Sequence, residues 1–171
     1  MKVNFACGKQ TWDGWYCIDA IQHTKATRPV DLLHSFRFNN GILLNRLPIE
    51  DFIVDEIHAY HFIEHVYQWE AASVIHEFKR ILKPGGKLVL ELPDLTLACK
   101  NLLKGSTDQF SMWPLYGDPG TRDVYMCHRW GYTRNTIEKL LKTCSMNRII
   151  CMNPKTHGAR KNRDMRVECF K

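Results

Sequence analysis

The chain has 171 residues, 44% of them hydrophobic and 25% charged, which is the composition of one soluble globular domain with a real core. Apolar runs stay well short of the ~20 residues that span a bilayer, which excludes a membrane-embedded chain. Its net charge of +6 permits an anionic partner without demanding one, and its seven widely spaced cysteines contain no Cys-x-x-Cys, which excludes a disulfide framework or zinc ribbon and points to reduced thiols in the cytoplasm.

The first residues are too few and too polar for a signal peptide and read as a strand over residues 3–6. A polar turn, residues 8–14, leads to a second strand, Trp15-Tyr16-Cys17-Ile18, which ends at Asp19. Residues 29–33 read as a third strand. Residues 35–52 are irregular, with Asn39-Asn40-Gly41 marking a turn. A fourth strand covers residues 52–60. The strongest helix covers residues 66–82, where Trp69, Ala72, Ile75, Phe78, Ile81 and Leu82 recur at spacings of three and four.

That helix hands over through a Pro84-Gly85-Gly86 turn to a buried fifth strand over residues 87–92. Asp94 caps a helix that runs to Lys104, with Leu95, Ala98 and Leu102 inward and Gly105 as its stop. Residues 105–131 form a long loop carrying Phe110, Trp113, Tyr116, Tyr125 and Trp130. Loops of that length are usually functional. Its aromatic rings either wall a sugar or base by stacking or plug the edge of the core.

Thr133 caps a last helix with Ile137, Leu140, Leu141 and Cys144 on its apolar face, and Glu138 and Lys142 pair outside. Strands over 148–152 and 165–170 close the chain as a hairpin. The basic loop between them draws Lys155, Arg160, Lys161, Arg163 and Arg166 against Asp164 alone. That loop is either a solvated connection or a contact for phosphate or nucleic acid. The alternation of strands and helices predicts a single α/β domain over residues 1–171, its sheet mostly parallel with one antiparallel strand at the end.

Ala6-Cys7-Gly8 closes the first strand and Asp19 the second. Glycine lets a ligand approach the backbone closely, and a carboxylate at the end of strand two can accept hydrogen bonds from both ribose hydroxyls. The pair points to a nucleoside-type cofactor at the carboxyl ends of the strands, or else to a tight turn with no ligand. A separate pattern, His61-Phe62-Ile63-Glu64-His65, spells the His-x-x-Glu-His of inverted zinc peptidases, with Glu138 a numerical candidate for a third ligand. Because His61 directly follows a strand, the segment starts a helix rather than lying within one. No metal is expected.

Taken in order, Val3-Asn4-Phe5-Ala6-Cys7-Gly8, Gly14-Trp15-Tyr16-Cys17-Ile18-Asp19, Leu47-Pro48-Ile49-Glu50-Asp51, Glu64-His65, Leu82-Lys83-Pro84-Gly85-Gly86, Leu92-Pro93-Asp94 and His128-Arg129-Trp130-Gly131-Tyr132-Thr133 resemble the class I methyltransferases that use S-adenosylmethionine, in their compact type 11 branch. The resemblance covers nearly the whole chain. It implies a Rossmann-like fold, a seven-stranded sheet with an antiparallel last strand and shortened early helices. S-adenosylmethionine would lie across the strand ends, with Ala6, Cys7 and Gly8 on its methionine and ribose side and Asp19 on the ribose hydroxyls. Tyr60, His61 and Phe62 would stand near the sulfonium. The chain departs from the branch in the short turn that replaces its first helix, and in Ser35 and Phe36, which stand where an acidic residue would reach the adenine.

A methyl transfer to a hydroxyl needs a base, and His65, His128 and Asp94 are the candidates because each follows a segment that ends on the cofactor face. The expected function is methylation of a small polar acceptor, a saccharide for example. The rival readings are a binding module on a reduced methyltransferase fold, holding nucleic acid through residues 155–166, and the zinc hydrolase.

Overall fold

The computed structural model describes residues 1–8, 10–19, 31–32, 38–39, 42–43, 46–122, 124–156 and 160–171; for residues 31–32, 38–39 and 42–43 it describes the backbone alone. Ser35 and Phe36, most of the expected third strand, and the Asn40-Gly41 turn lie outside these residues. Two-residue strands β4 (Phe38–Asn39) and β5 (Ile42–Leu43) pair antiparallel with each other.

Seven strands make one sheet: β1 (Lys2–Phe5), β2 (Trp15–Asp19), the two-residue β3 (Asp31–Leu32), β6 (Val54–Tyr60), β7 (Leu82–Pro93), β8 (Asn147–Met152) and β9 (Asp164–Phe170). Their order is β3-β2-β1-β6-β7-β9-β8. The first five are parallel, and β9 runs antiparallel to both of its neighbours. The expected Rossmann-like α/β sheet with an antiparallel last strand is present. Among the described residues, no helix stands between β1 and β2.

The apolar core lies on one face of the sheet. Val3, Phe5, Ile57, Ala59, Leu88 and Leu90 point there, under helix α1 (Gln68–Ile81) and helix α4 (Arg134–Thr143). Phe78 of α1 meets Phe5 edge to face with ring centres 5.0 Å apart. The stripe of α1 is Ala71, Val74, Ile75, Phe78 and Ile81. Trp69 is not part of it; the helix starts at Gln68, so Trp69 sits in a first turn that overhangs the sheet, 63% exposed and stacked on Tyr67.

The opposite face is charged. The strand register sets Lys2, Glu56 and Lys87 in one row and Tyr60, Glu91 and Arg166 in another. Glu56 pairs with Lys2 at 3.2 Å and His58 at 2.8 Å, and Lys87 with Glu168 at 2.7 Å. Arg166 joins Glu91 at 2.8 Å and Glu168 at 2.7 Å. Arg163 is likewise buried, on Asp164 at 2.7 Å. Two of the five cations of the expected basic loop are therefore internal: β9 carries Arg166 into the sheet, and Arg163, in the turn just before it, is buried on Asp164.

The Pro84-Gly85-Gly86 turn proves to be a bulge inside β7. Val54 faces Leu82 and Glu56 faces Lys87, so residues 83–86 loop out between the two pairs. Gly85 supplies the left-handed φ of 74°, its N–H donates to the Lys171 carbonyl, and the Lys171 N–H donates to the Gly86 carbonyl.

Helix α2 (Leu95–Leu103) buries Ala98, while Leu102 is 39% exposed: this short helix packs against helix α3 (Met112–Tyr116) rather than on the sheet. The long loop is thus not structureless. It holds α3 and 3-10 turns at Pro119–Thr121 and Val124–Met126. Gly117, buried with φ 98°, turns the chain so closely past the Met126 carbonyl that no side chain fits there. Among the described residues, no helix is long and apolar enough to cross a membrane.

Candidate cofactor and acceptor site

The carboxyl tips of β1 and β6 leave the sheet in the same unusual way. Ala6 has φ 52° and His61 φ 50°, both left-handed without being glycine, and Gly8 follows at 54°. Such conformations cost about 1–3 kcal/mol each and cluster where a structure holds a ligand. The Gly8 N–H donates to Oδ2 of Asp19 at 2.7 Å, which ties the tips of β1 and β2 together. The turn is closed by the Gln10 N–H on the Cys7 carbonyl at 2.9 Å and by the Asn4 side chain on the Gln10 carbonyl at 2.7 Å. Cys7 is buried, and burial first, with Cys17 and Asp19 nearby, pushes its thiol up to about 12. It is a neutral wall, not a nucleophile.

Tyr60 turns its ring to the charged face, where its hydroxyl meets His58 at 2.6 Å and the Arg166 guanidinium at 3.3 Å. Phe62 packs on Phe5 at 4.8 Å. His61, the third of the expected sulfonium neighbours, reaches two carboxylates. Its Nδ1 lies 3.1 Å from Glu64 Oε1 and its Nε2 3.6 Å from Asp164.

Ile63–His65 is a single 3-10 turn ahead of α1. The Arg129 and Trp130 N–H groups both donate to the Glu64 carbonyl, at 2.8 and 3.2 Å, which brings His128 beside His65. The two imidazoles meet edge to face, centres 4.9 Å apart. Each has its Nδ1 on a backbone carbonyl: His65 on Cys127 at 3.2 Å, His128 on Pro114 at 2.9 Å. Glu64 is buried. Burial alone would raise its carboxyl, but the His61 hydrogen bond and the charges of His61, His65 and His128 outweigh it and hold the group at about 2. Burial lowers the His128 imidazole below its ordinary range, so it is neutral at pH 7.

Asp94 stands elsewhere. Its Oδ1 accepts the Thr96 N–H at 2.9 Å, capping α2, and its Oδ2 lies 3.4 Å from the Arg134 Nε. It lines an open depression of about 430 Å³ with Thr96, Leu97, Lys100, Thr133 and Arg134. Tyr116 and Trp130 are exposed, so the core-plug reading does not hold for them; the Tyr125 side chain lies outside the described residues.

The inverted zinc peptidase is not built. His61 precedes the 3-10 turn with a left-handed φ, so it shares no helical face with His65. Glu138 is engaged on α4 with Lys142 at 2.6 Å. Sequence reasoning did not find the joining of Glu64 and His65 to His128, or Arg166 set between Glu91 and Glu168. Neither has a local signal, since the partners lie 60 or more positions apart or depend on strand register.

Residues 19–90 match the methyltransferase domain family of type 11. That match spans less than half of the chain, and the fold of the whole is the one shared by the solved methyltransferases below. No curated protein matches the chain, but many solved structures share its fold. An S-adenosylmethionine-dependent methyltransferase from Archaeoglobus fulgidus is 11% identical at a TM-score of 0.60, covering 99% of this chain and 85% of that one. A possible histamine N-methyltransferase from Thermotoga maritima is 14% identical at 0.63, covering 99% and 81%. A phosphoethanolamine N-methyltransferase from Haemonchus contortus, in complex with S-adenosylmethionine, is 10% identical at 0.58, covering 99% of this chain and 48% of that one. The family match begins at Asp19 and ends at Leu90, so Ala6-Cys7-Gly8 and His128 lie outside it.

Proposed function

We propose that this protein is an S-adenosylmethionine-dependent methyltransferase that acts in the cytoplasm on a small polar acceptor bearing a hydroxyl, a saccharide for example. The observation that carries the cofactor assignment is the Gly8 N–H to Asp19 bond, which joins the tips of β1 and β2 next to the left-handed tip of β6. Ala6, Cys7 and Gly8 line the methionine and ribose side. Asp19 accepts the ribose hydroxyls, and the backbone of Tyr60, His61 and Phe62 borders the sulfonium. When bound, the cofactor supplies an activated methyl whose leaving thioether is neutral, so no acid is needed.

The chain's own work is alignment, which contributes up to ~7–11 kcal/mol in favourable intramolecular cases. It also supplies a proton acceptor. His65 and His128 hold Nδ1 on carbonyls, which leaves Nε2 to take the acceptor's proton as the new bond to the methyl forms. Asp94, capped onto α2 and set against Arg134, stands apart from them at the open depression. Exposed Tyr116 and Trp130 offer faces for stacking on a sugar ring. The nucleic-acid reading has fewer cations to draw on, since Arg163 and Arg166 are buried in ion pairs and Lys155 lies 3.5 Å from Glu168.

Calorimetry with S-adenosylmethionine and with its demethylated product should show one site for each. A screen of polyhydroxylated acceptors should then yield a product heavier by one methylene unit. Binding of neither cofactor form overturns the reading.

A further inference from the structure

We propose that Glu64, His65 and His128 form a binding site for a divalent first-row transition-metal ion. One donor atom from each of the three lies within 4.8 Å of the other two. A carbonyl oxygen only accepts, so the Cys127 and Pro114 carbonyls fix the proton of each imidazole on Nδ1 and leave the lone pair on Nε2. Metal-ligating histidines take that arrangement, one nitrogen on a backbone carbonyl and the other on the ion.

Glu64 completes the set. Its Oε1 is engaged by His61, while its Oε2 is buried and has no hydrogen-bond partner. A buried carboxylate oxygen left unpaired beside two imidazole lone pairs is costly. A shared cation removes the cost. Bonds of ~2.0–2.2 Å place tetrahedral ligands roughly 3.4 Å apart, within reach of small rotations of two half-buried histidine rings.

Two imidazoles and one carboxylate suit zinc, cobalt, manganese or iron(II) rather than calcium or magnesium, which take oxygen ligands. Three protein ligands leave a coordination position open, and the exposed side of His65 and His128 gives it access to solvent. His61, itself within 3.6 Å of Asp164, orients the carboxylate from behind. The backbone clamp from Arg129 and Trp130 onto Glu64 fixes the distant third ligand.

The site stands on geometry alone; only its catalytic consequence rests on the reading above. An acceptor hydroxyl on the open position would be acidified by the ion and lose its proton to water, with the imidazoles holding metal instead of taking the proton.

The test uses the tag-free, chelator-stripped full chain. Titration with cobalt(II) should give visible d–d absorption saturating at one equivalent, and zinc should displace it. His65→Ala, His128→Ala and the near-isosteric Glu64→Gln should each weaken cobalt binding by more than the roughly 10–100-fold that a supporting residue costs. S-adenosylmethionine binding, measured in parallel, should change little. No saturating absorption, or unchanged affinity in Glu64→Gln, overturns the site even if S-adenosylmethionine binds. Saturating cobalt absorption without cofactor binding upholds the site and sinks the methyl-transfer reading instead.

Discussion

Replacing Arg166 by alanine is expected to destabilise the protein by about 3–5 kcal/mol, the range for removing one partner of a buried ion pair. Arg166 is 6% exposed and stands between two carboxylates, with Nη1 on Glu91 and Nε on Glu168, and Nη1 also reaches the Tyr60 hydroxyl. Removing it leaves Glu91 buried at 1% exposure with one oxygen already unpartnered. For a chain of this size, each kcal/mol moves the melting temperature by roughly 2–4 °C, so a fall of about 6–20 °C is expected in a thermal scan. Lys155→Ala is the control. Lys155 is exposed and approaches Glu168 at 3.5 Å, and such surface pairs contribute about 0–1 kcal/mol. Equal shifts in the two variants would mean that the charged face is solvated rather than structural.

The same network predicts acid sensitivity. Burial raises the Glu168 carboxyl, but its hydrogen bonds to Lys87 and Arg166 and their charges outweigh that and hold it at about 2. Lys155 also faces it. The folded value lies below the unfolded one, so this stabilisation is complete above the unfolded value of ~4.3 and is lost as pH falls toward 2. Glu91, depressed by Lys155, Arg166 and Thr156 against its burial, acts in the same direction. Urea midpoints should hold between pH 7 and 5 and drop between pH 4 and 2.5. The drop should shrink in Arg166→Ala; an identical drop in that variant would place the acid sensitivity elsewhere.

The second large effect falls on the cofactor. Asp19→Ala is expected to weaken S-adenosylmethionine binding by about 10–100-fold, the worth of charge-assisted hydrogen bonds at ~1.5–3 kcal/mol. Asp19 lies half-buried at a strand tip, outside the apolar core, so the circular dichroism spectrum should be retained. Part of the loss will come from freeing the Gly8 amide, which the carboxylate now holds at 2.7 Å. Asp19→Asn keeps an acceptor for that amide and removes the charge, so it should fall between wild type and alanine. Calorimetry reads both. Unchanged affinity in the alanine variant would mean that the ribose hydroxyls are held by another group.

Much of the frame was legible because it is written locally. The three- and four-residue spacing of α1, the Asp94 and Thr133 caps and the handover at residues 82–87 each follow from backbone rules that act over a few positions. Asp19 and Gly8 were legible because strand ends in this topology are adjacent by construction. What failed to show depends on tertiary closure. Arg163 and Arg166 read as surface cations until β9 inserts beside β7 and sets Arg166 opposite Glu91. Trp69 reads as core because its spacing fits, yet the helix begins one residue before it and leaves it over solvent. Glu64 and His128 lie far apart in the chain, and nothing short of the clamp by the Arg129 and Trp130 amides could pair them.

The last strand in sequence occupies an inner place in the sheet. β8 is hydrogen-bonded to β9 alone, and β9 carries it to β7. Within the sheet β8 is therefore held through β9, its other support being helix α4, so loss of the β7–β9 seam separates both strands from the rest of the sheet. Because Glu91 and Arg166 meet on that seam, the ion pair that sets the acid limit of the fold also latches its final hairpin.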